Sequence, residues 1–173
     1  QREYEEIYAE WSPNEKVALE AATGACFVGA RAMVCMKHVG VNVAADPLLT
    51  LAYTGVKGGL VLVTADDPEL YSSQNEQDNR HYARFAKIPM LEPSDSQEAK
   101  EFVKLGFTMS EQFDTPVMVR SVTRISHSKT IVELEERKEG PIPIEVEKNP
   151  PKYVMLPVYG RQRHKVVEER YVK

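Results

Sequence analysis

One continuous apolar run near the middle of the chain most strongly limits the possible folds. Residues 60–65 carry no charge, follow two glycines at 58–59 and end at an Asp-Asp-Pro turn at 66–68. A short apolar run between turn signals is typical of a strand buried on both faces of a parallel sheet. The run therefore predicts an α/β layer fold.

The rest of the first 130 residues alternates between strand and helix patterns. Strand-type runs cover 7–11, 32–38, 88–93 and 116–122, and helix-type patterns cover 13–30, 47–54 and 94–113. Ser12 is the expected N-cap of the first helix, because Pro13 follows it at the first helical position. We predict three layers, with a mostly parallel sheet flanked by helices.

The chain divides by composition into two parts. Residues 1–130 form the predicted compact unit, and residues 131–173 form a charged, proline-rich connector and C-terminal segment in which 161–173 is the possible start of a helix. A domain that ends in such a connector is compatible with a longer protein.

Composition excludes several classes of protein. The 173 residues carry a net charge of -4 without a basic patch, so a nucleic-acid partner is not expected. No stretch of about 18 uncharged apolar residues is present, which argues against a membrane span. The polar N-terminal residues differ from a secretory signal. With two cysteines, Cys26 and Cys35, we expect a reduced cytoplasmic protein.

The first candidate for chemistry is Glu20, the single ionisable residue among the fourteen small or apolar residues 17–30. A lone carboxylate in such a helix is costly to bury unless it meets a partner. The alternative is a solvent-facing glutamate on a polar stripe with Lys16 and Arg31, since glutamate is common in helices.

Two polar segments follow predicted strands. The block 72–80 follows the buried strand, where open parallel sheets bind ligands, but it could equally be a solvated surface loop. His38 lies in 37–42 after the preceding strand, and a lone histidine is more often structural than catalytic. The phosphate-loop, nucleophile-elbow and zinc patterns are missing, and we predict no metal ligand in this chain.

Four segments together point to a family. Residues 15–22, 36–47, 64–68 and 72–80 closely resemble the alpha subunit of the indolepyruvate:ferredoxin oxidoreductase family. The Ser-Ser-Gln-Asn-Glu-Gln-Asp block at 72–78 is the most specific of them. The resemblance covers most of 5–130 and is much weaker beyond 135.

The resemblance implies a function. The family oxidatively decarboxylates aryl 2-oxoacids with thiamine diphosphate, makes an acyl-CoA, and passes electrons through iron–sulfur clusters to ferredoxin. The matching region resembles the domain that binds the cofactor's pyrimidine ring. Glu20 occupies the place of the catalytic acid, which shares a proton with the ring nitrogen and favours the imino form that activates the thiazolium.

The resemblance also suggests further site residues. Arg80 could pair a substrate carboxylate bidentately, with Arg84 as a competing candidate. The implied set is Glu20, His38 and Asn42 for the cofactor, and Ser73, Gln74, Asn75 and Arg80 for the substrate.

Several parts of the family pattern are missing from the sequence. We expect the chain to lack the family's first strand and its Tyr-Pro-Gly-Thr-Pro-type loop, as well as the diphosphate-binding domain with its Mg²⁺ ligands. Two cysteines cannot hold a [4Fe–4S] cluster, which takes four thiolates. We therefore expect a domain fragment, inactive alone, whose partners are the remaining alpha-subunit domains, a beta subunit, ferredoxin and a second copy of the domain. The alternative is a non-catalytic assembly or interaction domain of the same fold.

Overall fold

The computed structural model describes residue 4 and residues 7–136 and 145–172. Helices and strands alternate along most of this length. In chain order they are α1 (Glu15–Phe27), β1 (Ala32–Lys37), α2 (His38–Val43), α3 (Ala45–Thr54), β2 (Leu60–Asp66), a 3₁₀ turn (Pro68–Leu70), α4 (Arg80–Ala86), β3 (Met90–Leu91), α5 (Ser96–Phe113), β4 (Val117–Val122), α6 (Thr123–His127), α7 (Pro150–Tyr153) and α8 (Pro157–Tyr171).

The four strands form one parallel sheet in the order β1-β2-β4-β3, which confirms the predicted fold class. In the centre of the sheet, Leu62 of β2 is in register with Val34 and Met118 on either side. Leu62 packs in the core shared with α1 and α3, whereas Val61 contacts α5 at Gly106. Alternate residues of β2 therefore face opposite helix layers, as the apolar run predicts.

A close backbone approach explains the glycine pair before β2. A Cβ atom at Gly58 would lie 2.0 Å from the carbonyl oxygen of Ala30, which is closer than any side chain can come. The Gly58 N–H donates to the Cys26 carbonyl over 2.8 Å, and so the turn is fixed against the end of α1. Glycine is required here because the two backbones touch.

The N-terminal predictions are partly wrong. Residues 7–11 form no strand, and Trp11 is fully exposed. The first helix begins later than expected, because the N-cap is Asn14, whose side chain accepts from the Val17 N–H, and not Ser12. The alternating pattern of 7–11 was misleading because no neighbouring strand is available to it in the described sheet.

Four short helices, α2, α4, α6 and α7, were not predicted. The first two begin within segments interpreted from sequence as loops. All four are four to seven residues long, too short for an apolar periodicity to show in the sequence.

The C-terminal segment returns to the α/β unit. Val167 of α8 is only 1% exposed and α8 packs on α3, so the predicted helix exists and begins earlier than residue 161. Arg163 donates to the Tyr53 carbonyl over 2.7 Å. In α7, the Tyr153 ring lies 4.6 Å from that of Phe27. The boundary near residue 130 stays a prediction.

Candidate functional site

The carboxyl ends of the parallel strands bring polar residues together at one edge of the sheet. His38 follows β1, Asp67 follows β2, Glu92 follows β3 and Thr123 follows β4. This carboxyl edge is where open α/β sheets bind ligands. It includes the segment 72–80 that the sequence singled out.

His38 connects two of the predicted segments. Its ring is fully buried, and its Nε2 lies 3.0 Å from the carbonyl oxygen of Asn75. The ring therefore holds the 72–80 segment against the start of α2, while Nδ1 is buried and has no hydrogen-bond partner among the described residues. Asn42, one turn further on, is exposed and accepts from the Tyr82 hydroxyl over 2.6 Å.

The side chains of the 72–80 segment have different environments. The Ser73 hydroxyl donates to Asp67. The Asn75 side chain accepts from Gln77 over 2.7 Å. Gln74 is exposed and makes no side-chain hydrogen bond within the described part of the chain. Gln74 is therefore the residue of this segment best able to meet a ligand.

Arg80 already has a carboxylate partner. Its guanidinium donates through Nε and Nη2 to the two oxygens of Asp78, both over 2.8 Å. This fork, together with a backbone bond and the charges of Arg80 and Arg120, lowers the pKa of Asp78 to about 2 despite partial burial. A substrate carboxylate would have to compete with Asp78 for Arg80. The competing candidate, Arg84, is exposed.

A buried arginine on β4 organises this edge and was not predicted. The Arg120 side chain is 6% exposed, and it donates through Nε to Asp66 over 2.7 Å and through Nη1 to Glu92. Asp66 also accepts from the Asn79 N–H over 3.0 Å, which fixes the start of α4. A charged residue within a buried strand needs such partners, so the run 117–122 contained the signal.

Asp67 is the second carboxylate that organises the carboxyl edge. It accepts from the Ser72 N–H and the Thr123 hydroxyl, both over 2.8 Å, and from Ser73. These hydrogen bonds, Ser73 first, hold the pKa of Asp67 far below its usual range. The carboxylate therefore joins the ends of β2 and β4 to the 72–80 segment.

Glu20 lies apart from this cluster. Its side chain is 53% exposed on α1 and lies 3.8 Å from the Lys16 ammonium, which also pairs with Asp46 over 3.1 Å. Within the described residues, no hydrogen bond or ion pair joins Glu20 to the 72–80 segment. The exposed position fits the solvent-facing alternative for an isolated chain, although Arg31 pairs with Glu111 and does not share the stripe.

Three observations concern other kinds of site. In the described ranges, no helix is both long and apolar enough to cross a membrane. The same ranges contain no group of three or more His, Cys, Asp or Glu side chains that could hold a metal ion. Cys26 is buried, Cys35 is exposed, and both are free thiols.

Fold and edge together define the class of protein: a parallel α/β domain with a polar cluster at the carboxyl ends of its strands. Residues 4–169 match the family described as pyruvate flavodoxin/ferredoxin oxidoreductase, thiamine diP-bdg. Because this match covers most of the chain, the chain belongs to that family.

Curated relatives agree with this assignment. Indolepyruvate oxidoreductase subunit IorA of Archaeoglobus fulgidus is 52% identical over 169 residues, covering 97% of this chain and 27% of the relative. The Pyrococcus abyssi protein of the same name is 50% identical, covering 96% and 26%. The chain thus spans about a quarter of the length of these relatives.

A solved structure supports the fold. The 2-oxoglutarate:ferredoxin oxidoreductase from Magnetococcus marinus, with 2-oxoglutarate, coenzyme A and succinyl-CoA bound, superimposes with a TM-score of 0.64. The alignment covers 93% of this chain and 36% of that chain at 13% identity. At this identity the likeness shows the fold alone.

Proposed function

We propose that this chain supplies Glu20 to the aminopyrimidine ring of thiamine diphosphate in a 2-oxoacid:ferredoxin oxidoreductase. The proposed substrates are aryl 2-oxoacids of the indolepyruvate type, which are converted to acyl-CoA with ferredoxin as electron acceptor. The observation that carries the proposal is the Glu20 carboxylate itself. It is half exposed, loosely paired, and lies in a segment that matches the family.

The surroundings of Glu20 fit a planar ring. Val17, Ala21 and Gly24 are exposed on the same face of α1, and a methyl group at Gly24 would have no neighbour within 4 Å. This face is small and mostly apolar, and a second protein surface could close over it. Surface ion pairs are weak, so a ring nitrogen could displace Lys16 from Glu20 at little cost.

The chain itself contributes one chemical step, which is to share a single proton with the cofactor. When bound, thiamine diphosphate supplies the electron sink for decarboxylation. Glu20 would hold the proton that it shares with the ring nitrogen. That hydrogen bond becomes stronger when another domain covers the face and excludes water.

At the carboxyl edge we propose different roles for the other residues. His38 acts through the Asn75 carbonyl that it holds at 3.0 Å, so it positions the segment and does not contact a ligand itself. Asn42 stays a proposed cofactor contact. Gln74 is the proposed substrate contact whose side chain makes no hydrogen bond within the described residues, and the remaining members of the set are Ser73, Asn75 and Arg80.

The rest of the catalyst is proposed to lie outside this chain. The length covered in the relatives, about a quarter, leaves room for a diphosphate-binding domain with Mg²⁺ and for [4Fe–4S] clusters. The relatives' name, which calls them a subunit, supports a beta subunit as a partner. Ferredoxin, coenzyme A and a second copy of the domain complete the proposed assembly.

The decisive experiment is Glu20→Gln in the full-length enzyme with its partner subunit. Loss of acid–base assistance lowers a rate by about 10²–10⁴-fold, so we expect indolepyruvate-dependent reduction of ferredoxin to fall by at least about 100-fold. Glu169→Gln, an exposed carboxylate on α8, is the matched control and keeps the wild-type rate. Circular dichroism would verify that both variants are folded.

The alternative, a non-catalytic assembly domain of the same fold, is consistent with the exposed Glu20. It predicts that Glu20→Gln oxidises indolepyruvate at the wild-type rate. Calorimetric titration of the full-length protein with thiamine diphosphate and Mg²⁺ separates the two hypotheses further, because only the first predicts weaker cofactor binding by the variant.

A further inference from the structure

A cavity at the carboxyl edge contains none of the seven site residues expected from the sequence. It has a volume of about 550 Å³ and lies between the ends of β1 and β2 and helix α6. Small-molecule sites in proteins typically measure about 300–1,000 Å³. The residues that matter for the argument are Lys37, Asp66, Asp67, Tyr71 and His127.

A strained turn presents an aromatic ring to this cavity. Glu69 and Leu70, neither of them glycine, have φ values of 68° and 60°. The next residue, Tyr71, is 72% exposed, and its hydroxyl donates to Glu69 over 3.0 Å. Left-handed backbone at consecutive non-glycine residues is unfavourable and is found mainly at functional sites. A ligand contact of the Tyr71 ring would therefore explain why this unfavourable backbone conformation is present.

The negative charges of the lining are already compensated. Asp66 pairs with Arg120 over 2.7 Å. Asp67 accepts from three donors, two of them on Ser72 and Ser73. Neither carboxylate therefore needs a cation from a ligand.

The hydrogen-bond donors of the lining are less fully used. The Lys37 ammonium donates to the Ser72 carbonyl, which takes one of its three N–H groups, and its charge also helps to lower the pKa of Asp67. His127 is exposed in the lining and has no side-chain hydrogen bond to other described residues. The cavity thus combines an aromatic side chain with a cationic donor, the Lys37 ammonium.

We propose that this cavity binds an aromatic carboxylate, with its ring against Tyr71 and its anionic group at Lys37. This inference rests on the proposed function, in which the ligand is the aryl 2-oxoacid substrate. It moves the substrate carboxylate from Arg80, which Asp78 already occupies, to Lys37, while the proposed contacts at 73–75 directly follow Ser72 of the lining. Tyr71 then selects for the aromatic side chain of the substrate. The adenine and phosphates of coenzyme A share the same chemistry, so the test must separate these two sources.

The test uses the full-length enzyme with its partner subunit and the variants Tyr71→Ala and Tyr71→Phe. Loss of the ring is expected to raise the KM for indolepyruvate about tenfold, the size of one aromatic contact, with kcat and the KM for coenzyme A unchanged. Tyr71→Phe keeps the ring and keeps the wild-type KM. Phe85→Ala, an equally exposed aromatic outside the lining, is the control and changes neither constant.

A binding measurement makes the inference independent of catalysis. Calorimetric titration of the full-length protein with indole-3-propionate, an aromatic carboxylate without the 2-oxo group, should show binding that Tyr71→Ala abolishes and Tyr71→Phe retains. Binding of this probe to an enzyme without oxidoreductase activity would support the cavity and overturn the proposed function. Unchanged binding and KM in Tyr71→Ala, or a rise only in the KM for coenzyme A, would overturn the inference.

Discussion

Two largely buried arginines hold opposite edges of the sheet, and they do so with different partners. Arg120 at the carboxyl edge pairs with the carboxylates of Asp66 and Glu92. Arg170 of α8 donates to the carbonyls of Ala52 and Asp114 over 2.7 and 2.6 Å. Those carbonyls end α3 and α5, which lead into the amino ends of β2 and β4.

The different partners of the two arginines indicate that one edge of the sheet serves ligand binding and the other serves stability. At the amino edge, Arg170 satisfies carbonyls at helix ends, where positive charge is favourable. At the carboxyl edge, Arg120 compensates full negative charges next to a cavity and a strained turn. Among the described residues, buried oxygens of Asp66 and Asn79 have no hydrogen-bond partner there, and neither has Arg170 Nε at the amino edge. We infer that the amino edge fastens the fold and that the carboxyl edge is built around polar groups that a ligand site requires.

The largest effect is expected from Arg120→Met. This change leaves Asp66 buried without its counter-charge, which costs about 3–5 kcal/mol in comparable cases. Urea unfolding of the 173-residue chain at pH 7, followed by circular dichroism, measures the loss.

The matched control is the double variant Arg120→Met with Asp66→Asn. It removes the stranded charge and should regain a clear part of the lost free energy of unfolding. If Arg120→Met alone changes the free energy of unfolding by less than about 1 kcal/mol, the carboxyl edge does not depend on charge compensation.

A smaller effect is expected from Arg170→Met at the amino edge. Its hydrogen-bond acceptors are carbonyl groups, and the Asp114 carboxylate acts on it only through space. The loss should therefore be about 1.5–3 kcal/mol, the value of hydrogen bonds from a charged donor. Arg161→Met, an exposed position on the same helix, should change the free energy of unfolding by about 0.5 kcal/mol or less. Equal values for the two variants would show that the hydrogen bonds of Arg170 contribute nothing measurable to stability.

Most of the sheet could be predicted because its strands are apolar runs that can be recognised from the local sequence. The apolar runs at β1, β2 and β4 and the Asp95-capped helix α5 follow from local pattern alone. The 7–11 segment shows the limit of such patterns, because alternation stabilises a strand only where a neighbour can pair with it. The contacts of Arg163 and Arg170 were not predictable, since they join residues 49 or more positions apart.

The candidate site was less predictable than the fold. The polar composition of 72–80 after a buried strand, supported by the resemblance, located this segment, and the structure brings His38 to it through a backbone carbonyl. Arg120 was missed because it lies in a strand interpreted by its apolar neighbours. The exposure of Glu20 depends on what covers α1, which no local pattern in this chain encodes.

The smallest effect is expected from Asp78→Asn, at the solvent-exposed side of the carboxyl edge. Its pKa is lowered to about 2, mainly by Arg80, so the carboxylate stabilises the fold above about pH 4 and this contribution is lost as the pH falls toward 2. After discounting for solvent screening, Asp78→Asn should cost about 1 kcal/mol at pH 7. It should also flatten the dependence of unfolding free energy on pH between about 4 and 2. Glu169→Gln, at an exposed carboxylate, is the control for the loss at pH 7. An unchanged slope in Asp78→Asn would mean that the ion pair with Arg80 is too exposed to stabilise this edge, and that charge compensation there is confined to the buried Arg120.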